Sequence, residues 1–186
     1  VHDMANAGEP IDTAALKSAV LRANQQVLDA AAKNSSYEGM GSTATVLHID
    51  EAAQTACYAH VGDSRLYLLR GGALRRISRD HSYVEELVAR GELSEAEAQH
   101  HPRKNYLLRA VGVEERLHVD GDTFPVMAGD RFLLATDGLT NMVEDADLCA
   151  LLGGNPDDAA RQMVERALDA GGTDNVTAIV IACDPS

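Results

Sequence analysis

A chain of 186 residues with 45% hydrophobic and 24% charged side chains is long enough to bury its own core, and its composition is that of an ordinary globular domain. The formal net charge of −13 argues against a general binder of nucleic acid or anionic membrane, but suits basic protein segments and metal cations. Aromatic residues at 4%, with no tryptophan, leave little on which single-stranded bases can stack.

No run approaches the roughly 18 apolar residues that span a bilayer. Residues 1–10, VHDMANAGEP, have neither the basic start nor the apolar middle of a signal peptide. Cys57, Cys149 and Cys183 lack CxxC spacing and have apolar neighbours, which reads as three buried free thiols in a reducing cytoplasm.

The first expected element is a helix over residues 12–33. Leu16, Ala19, Val20, Ala23, Val27 and Ala31 line one face at helical spacing. Asp12 or Thr13 is placed to cap it, and Asn34-Ser35-Ser36 to end it. Strands are then expected over residues 43–49, 54–61, 65–70 and 73–78, with Gly71-Gly72 as a hairpin turn. Together they predict an antiparallel meander with Asp63 at a kink. Residues 80–102 change character. Ser82-x-x-Glu85 and Ser94-x-x-Glu97 both fit the capping box, and Gly91 is placed to stop the first helix. The pattern predicts a short helical hairpin, closed by Pro102 and inserted between strands as a mobile surface lobe.

Strands are expected again over residues 117–119 and 130–135, and a helix over 142–152. Asn155-Pro156 opens another helix with a stripe of Ala160, Met163, Val164, Ala167 and Leu168, stopped by Gly171-Gly172. Residues 176–182 form a continuous β-rich run suited to a central buried strand. Helix, strands, helical insert, strands, two helices and a strand make an α+β layered fold.

Three aspartates stand in tight turns beside these strands: Gly62-Asp63-Ser64, Thr136-Asp137-Gly138 and Thr173-Asp174-Asn175. Each alone serves as a turn residue for backbone reasons. Brought together on one rim of the sheets, such carboxylates, with no Cys or His beside them, suit a hard cation such as Mg²⁺ or Mn²⁺. His48 and His60 lie in strand patterns as packing or surface residues. Gly39-Met40-Gly41 lacks the ending of a phosphate-binding loop. Arg75-Arg76 and Arg103-Lys104 are local basic spots on an acidic chain.

The neighbourhoods of the aspartates carry a resemblance. His60-Val61-Gly62-Asp63-Ser64-Arg65-Leu66-Tyr67 resembles the Gly-Asp-Ser-Arg motif of the type 2C (PPM) metal-dependent serine/threonine protein phosphatases. Arg79-Asp80-His81-Ser82 is similar to the approach to that family's flap, and Asn105-Tyr106-Leu107-Leu108-Arg109-Ala110-Val111-Gly112 to the stretch after it. Ala135-Thr136-Asp137-Gly138-Leu139 and Gly172-Thr173-Asp174-Asn175-Val176-Thr177 resemble its Asp-Gly and Asp-Asn motifs. These motifs span most of the chain in the family's order, and the bacterial branch is the nearest likeness.

The resemblance implies one phosphatase-like domain over residues 1–186, an antiparallel β-sandwich flanked by helices, with residues 80–102 as the flap. It implies two to three Mg²⁺ or Mn²⁺ ions, Asp137 and Asp174 holding a metal of the main pair and Asp63 joining Asp137 on a third. It also implies a metal-activated water that attacks phosphoserine or phosphothreonine in proteins, with a Ser/Thr kinase or its substrates as partners. The family's bridging Asp, phosphate-gripping Arg and proposed general-acid His belong to an Asp-Gly-Met-Gly-Gly-His region preceding the first helix, and no such motif occurs in this sequence. Residues 1–186 taken alone are therefore expected to have little or no activity, and sheet edges are expected to be exposed. The alternative is a phosphatase-like, non-catalytic binding or regulatory module.

Overall fold

The computed structural model describes residues 11–183; the reading of residues 1–10 falls outside the described residues. Helix α1, Thr13–Lys33, begins where expected, because the Asp12 side chain accepts the Ala15 N–H at 2.8 Å and the segment contains no proline. Its buried face is Leu16, Val20 and Asn24, so a polar residue occupies the stripe where Ala23 was expected and Ala23 is exposed. Asn34 caps the end of α1 and also receives the Ser36 N–H at 3.0 Å, starting a single 3₁₀ turn, Ser35–Tyr37.

The chain divides into two compact units: residues up to Gly62 with Asp80–Pro125, and Asp63–Arg79 with residues from Val126 onward. In the first, β1 (Ala44–Asp50) and β2 (Thr55–Val61) pair antiparallel from Ala44↔Val61 to Asp50↔Thr55, and β5 (Thr123–Pro125) adds to β2. Leu16 and Val20 of α1 pack with Cys57, Ala59, Val61, Val111, Leu117 and Val119. Residues 117–119 were expected to be a strand, yet they form no ladder. Leu117 and Val119 are buried in this core, and the chain meets β2 only through a bridge between His60 and Asp120. The ladder resumes just beyond Gly121, which lies so close to the Tyr58 carbonyl that a side chain there has no space.

Two short helices occupy the stretch between residues 83 and 100. In α2 (Tyr83–Ala89) the Ser82 hydroxyl accepts the Glu85 N–H at 3.3 Å. In α3 (Glu95–His100) Ser94 and Glu97 satisfy both halves of the capping box. Gly91 takes a positive φ after α2.

The second unit holds an antiparallel sheet of order β4-β3-β6-β7. Strands β3 (Arg65–Arg70) and β4 (Ala73–Arg76) are joined by Gly71 and Gly72, both with positive φ, as a two-residue hairpin demands. The expected continuous meander therefore breaks at Gly62: β2 and β3 belong to different sheets. Strand β6 (Arg131–Ala135) buries Phe132 and Leu133 from opposite faces and lies inside the sheet, with β7 (Ala178–Ala182) beyond it. Residues 176–182 were expected to be central. Instead β7 ends the sheet among the described residues, with Ile179 52% exposed.

Helices α5 (Asp145–Leu152) and α6 (Pro156–Asp169) cover one face of this sheet, packing Leu148, Leu152, Met163 and Ala167 on Tyr67, Leu69, Leu133 and Ala135. In α6 the Asn155 side chain accepts the Asp157 N–H at 3.1 Å, with Pro156 in the first turn. The buried stripe is Ala159, Met163 and Ala167, whereas Leu168, expected in it, is 56% exposed. Asp130, almost fully buried, accepts two bonds from Arg70 at 2.8 and 2.6 Å. The architecture is α+β, with antiparallel sheets and helices. No helix among the described residues is long and apolar enough to cross a membrane.

Candidate metal centre

Register alone brings the three turn aspartates to one end of the four-stranded sheet. Arg65 pairs with Ala135, and Ala135 with Ala178. Asp63 lies just before the first of these residues, Asp137 just after the second, and Asp174 a short loop before the third. Asp137 opens a four-residue helix, α4 (Asp137–Thr140), which the sequence pattern did not suggest because one turn is too short to show a periodicity.

The loops carrying Asp137 and Asp174 are tied to each other. The Thr136 N–H donates to the Thr177 carbonyl at 3.1 Å, the Thr177 N–H to Thr136 Oγ1 at 3.0 Å, and that hydroxyl to the Asn175 carbonyl at 3.3 Å. Gly138 is buried directly against Asn175; a side chain there would strike the Asn175 carbonyl and touch Asp174 Cβ at 3.4 Å. The glycine in this motif thus sets the separation of two loops. The Asn175 N–H donates to Asp174 Oδ1 at 2.7 Å, holding that carboxylate within its turn.

Burial first, then the adjacent negative charge of Asp174, pushes the Asp137 carboxyl above the ordinary aspartate range; the Gly138 N–H and the Arg65 guanidinium offset this only in part. Carboxylates kept near each other by a bonded loop pair are the kind of oxygen donors that suit a hard cation. Asp137 and Asp174 are therefore brought together. Asp63 shares their end of the sheet, but among the described residues no three His, Cys, Asp or Glu side chains converge to chelate one ion. The sequence reading gave Arg65 no role of its own. Its guanidinium bears on Asp137 and donates to Tyr67 Oη at 3.2 Å, and that hydroxyl donates to Asp145 at 3.2 Å. Its place two residues after Asp63, opening a strand beside β6, was the available signal.

A second polar cluster, in the other unit, was not foreseen. His60 is fully buried, with Nδ1 2.9 Å from Thr45 Oγ1 and Nε2 3.0 Å from the Gly62 carbonyl. Burial, and secondarily the nearby His81, lowers its pKa to about 4, so the ring stays neutral. His81 accepts the Gly62 N–H on Nδ1 at 3.2 Å. Its Nε2 lies 3.1 Å from Asp120 Oδ2, a close polar contact without the alignment of a directed hydrogen bond. Arg109 at 3.5 Å and His118 at 3.3 Å approach the other Asp120 oxygen. Of the cysteines, all free, Cys57 is buried as expected, whereas Cys149 and Cys183 are only half-buried.

The chain as a whole is similar to known proteins. The profile of the family described as Stage II sporulation protein E (SpoIIE) matches residues 3–184. The serine/threonine phosphatase stp of Listeria monocytogenes is 37% identical over 171 residues, covering 91% of this chain and 67% of that protein. The chain thus spans about two thirds of this relative's length. Among solved structures, the Mycobacterium tuberculosis serine/threonine phosphatase PstP/Ppp superposes with a TM-score of 0.86 at 34% identity, covering 93% of this chain and 73% of that one. The catalytic domain of PstP in complex with two manganese ions superposes with a TM-score of 0.83 at 34% identity, covering 92% and 72%.

Proposed function

Because the chain belongs to the type 2C (PPM) family of metal-dependent serine/threonine protein phosphatases, we propose that it carries the Asp137–Asp174 part of a centre that hydrolyses phosphoserine and phosphothreonine in proteins. The observation that carries this reading is the repulsion between these two carboxylates, held by bonded loops at the end of the sheet. Both would hold Mg²⁺ or Mn²⁺, and Asp63 would join Asp137 on a further ion. When bound, such ions lower the pKa of a coordinated water and neutralise charge on the phosphate oxygens.

The chain's own residues orient and space the ligands. Thr136 ties the two loops, Gly138 allows their close approach, and Arg65 tempers the negative field around Asp137. The partners in this reading are phosphorylated proteins and the serine/threonine kinase that produces them, in the cytoplasm.

Two charged ligands hold an ion loosely, and among the described residues no third converges on them. Turnover by residues 1–186 alone is therefore expected to be slow. The same observation favours a second reading, a phosphatase-like module that binds without turning over. Phosphate release from a phosphothreonine peptide separates the two. The phosphatase reading expects Mn²⁺-dependent release, abolished by chelator and by Asp174→Asn, at a rate well below that of the full-length Listeria relative. Manganese binding without release supports the binding module. Release that survives both the chelator and Asp174→Asn would remove the metal assignment.

A further inference from the structure

Acidic residues outnumber lysine and arginine 29 to 16, and many of the cations have found a carboxylate. Arg70, Arg90, Arg109, Arg161 and Arg166 each lie within 3.5 Å of one. Arg103 and Lys104 do not; no ion pair among the described residues includes either. The sequence carries no acidic residue between Glu97 and Glu114.

The backbone of this stretch is well tied. The Lys104 N–H donates to the His101 carbonyl at 3.0 Å and the Tyr106 N–H to the Arg103 carbonyl at 3.0 Å. The Tyr83 N–H donates to the Tyr106 carbonyl at 2.8 Å and the Leu108 N–H to the His81 carbonyl at 2.8 Å. The Arg103 N–H donates to His101 Nδ1 at 3.1 Å, and its guanidinium carbon stands 5.8 Å from the centre of the Tyr83 ring. Upon this ordered backbone, Tyr106 is 63% and Leu108 41% exposed. Two unpaired cations and two solvent-facing side chains are thus carried on a backbone that has little ordering left to do on binding.

We propose that residues 103–108 form a docking strip for an acidic segment of a phosphorylated protein. This rests on the phosphatase reading above and names its substrate class. Charge complementarity selects the occupant: Arg103 and Lys104 receive carboxylates or a second phosphate, while Tyr106 and Leu108 cover the peptide's apolar positions. A strip with a single tyrosine, on a chain of net charge −13, does not suit a nucleic-acid strand.

The test is fluorescence anisotropy on the whole chain at low ionic strength. The probes are three labelled phosphothreonine peptides, flanked by Asp/Glu, by Ala/Gly, or by Lys/Arg. Net charge alone would make the basic peptide bind tightest. The strip makes the acidic peptide bind about tenfold tighter than the basic one, a preference that shrinks as salt is raised. Arg103→Glu with Lys104→Glu inverts the order, and Arg103→Gln with Lys104→Gln falls between, with circular dichroism confirming that both variants fold. No preference for the acidic peptide, a preference that survives the charge reversal, or tighter binding of a single-stranded oligonucleotide than of any peptide overturns the proposal. Hydrolysis of p-nitrophenyl phosphate by the unmodified chain is measured alongside. Preference without any Mn²⁺-dependent hydrolysis favours the binding-module reading and leaves the strip standing, whereas hydrolysis without preference counts against the strip alone.

Discussion

Asp120 and Asp137 are both half-buried aspartates at the margins of sheets, yet the chain surrounds them in opposite ways. Burial by itself would raise both. Around Asp120, His81, Arg109 and His118 outweigh that and hold its carboxyl below the ordinary range. Around Asp137, burial and another carboxylate, Asp174, outweigh Arg65, and the group is driven upward. One unit neutralises its acid with its own side chains and gains a fixed structural knot. The other holds its acid beside a second carboxylate, with Arg65 and the Gly138 N–H offsetting that only in part, which is the environment the proposed cation would relieve. In the proposed reading the contrast separates a carboxylate used for folding from one kept for binding.

The largest expected effect tests the second half of that contrast. Asp174→Asn should lower Mn²⁺ affinity by about 100-fold or more, since it removes one of two charged ligands. Isothermal titration with Mn²⁺ checks this. The same variant, free of metal, should be more stable than the parent by a few tenths to about 1 kcal/mol in urea denaturation, a range kept small because Asp174 is exposed. A loss of metal-free stability would mean that Asp137 and Asp174 form a structural pair.

The first half is tested by acid. His60 has a folded pKa of about 4 against about 6.5 unfolded, so below pH 6.5 the unfolded chain takes up a proton that the folded chain refuses. Stability should therefore fall as pH drops from 6.5 towards 4 and then level off. The expected loss is about 2 kcal/mol between pH 7 and pH 5. His81, also lowered chiefly by burial, acts in the same direction. Asp120 behaves as a depressed carboxylate, so its contribution is retained through this window and lost only below the ordinary aspartate pKa. Urea midpoints for the parent and for His60→Gln across this range check the slope, which the variant should flatten.

Gly138→Ala should cost about 1–3 kcal/mol through overpacking against the Asn175 carbonyl, and should weaken Mn²⁺ binding by separating the loops. An unchanged metal affinity would show that the loop spacing is set elsewhere. At the small end, Arg161→Ala breaks two exposed pairs within α6 and should leave the urea midpoint unchanged within error.

Much of this molecule was determined within short stretches of sequence. Helix α1 and its Asp12 cap, the Ser94–Glu97 capping box, the Gly71-Gly72 hairpin and the Asn155-Pro156 helix start all depend on neighbours a few residues away. Phase, capping and φ preference act over that range. The aspartates and their motifs were therefore readable before any fold was seen.

Tertiary structure decided what depends on partners far along the chain. It assigned β2 and β3 to different sheets, put β7 at the end of one, and turned residues 117–119 into a buried bridge. It also buried Asn24, whose amide donates to the Glu114 carbonyl at 2.8 Å and accepts the Gly112 N–H at 2.7 Å. No local pattern encodes those distant carbonyl and amide partners. The charges follow the same rule. Three aspartates look alike in sequence, and what makes Asp137 a ligand candidate is the like charge that the β6–β7 register carries beside it.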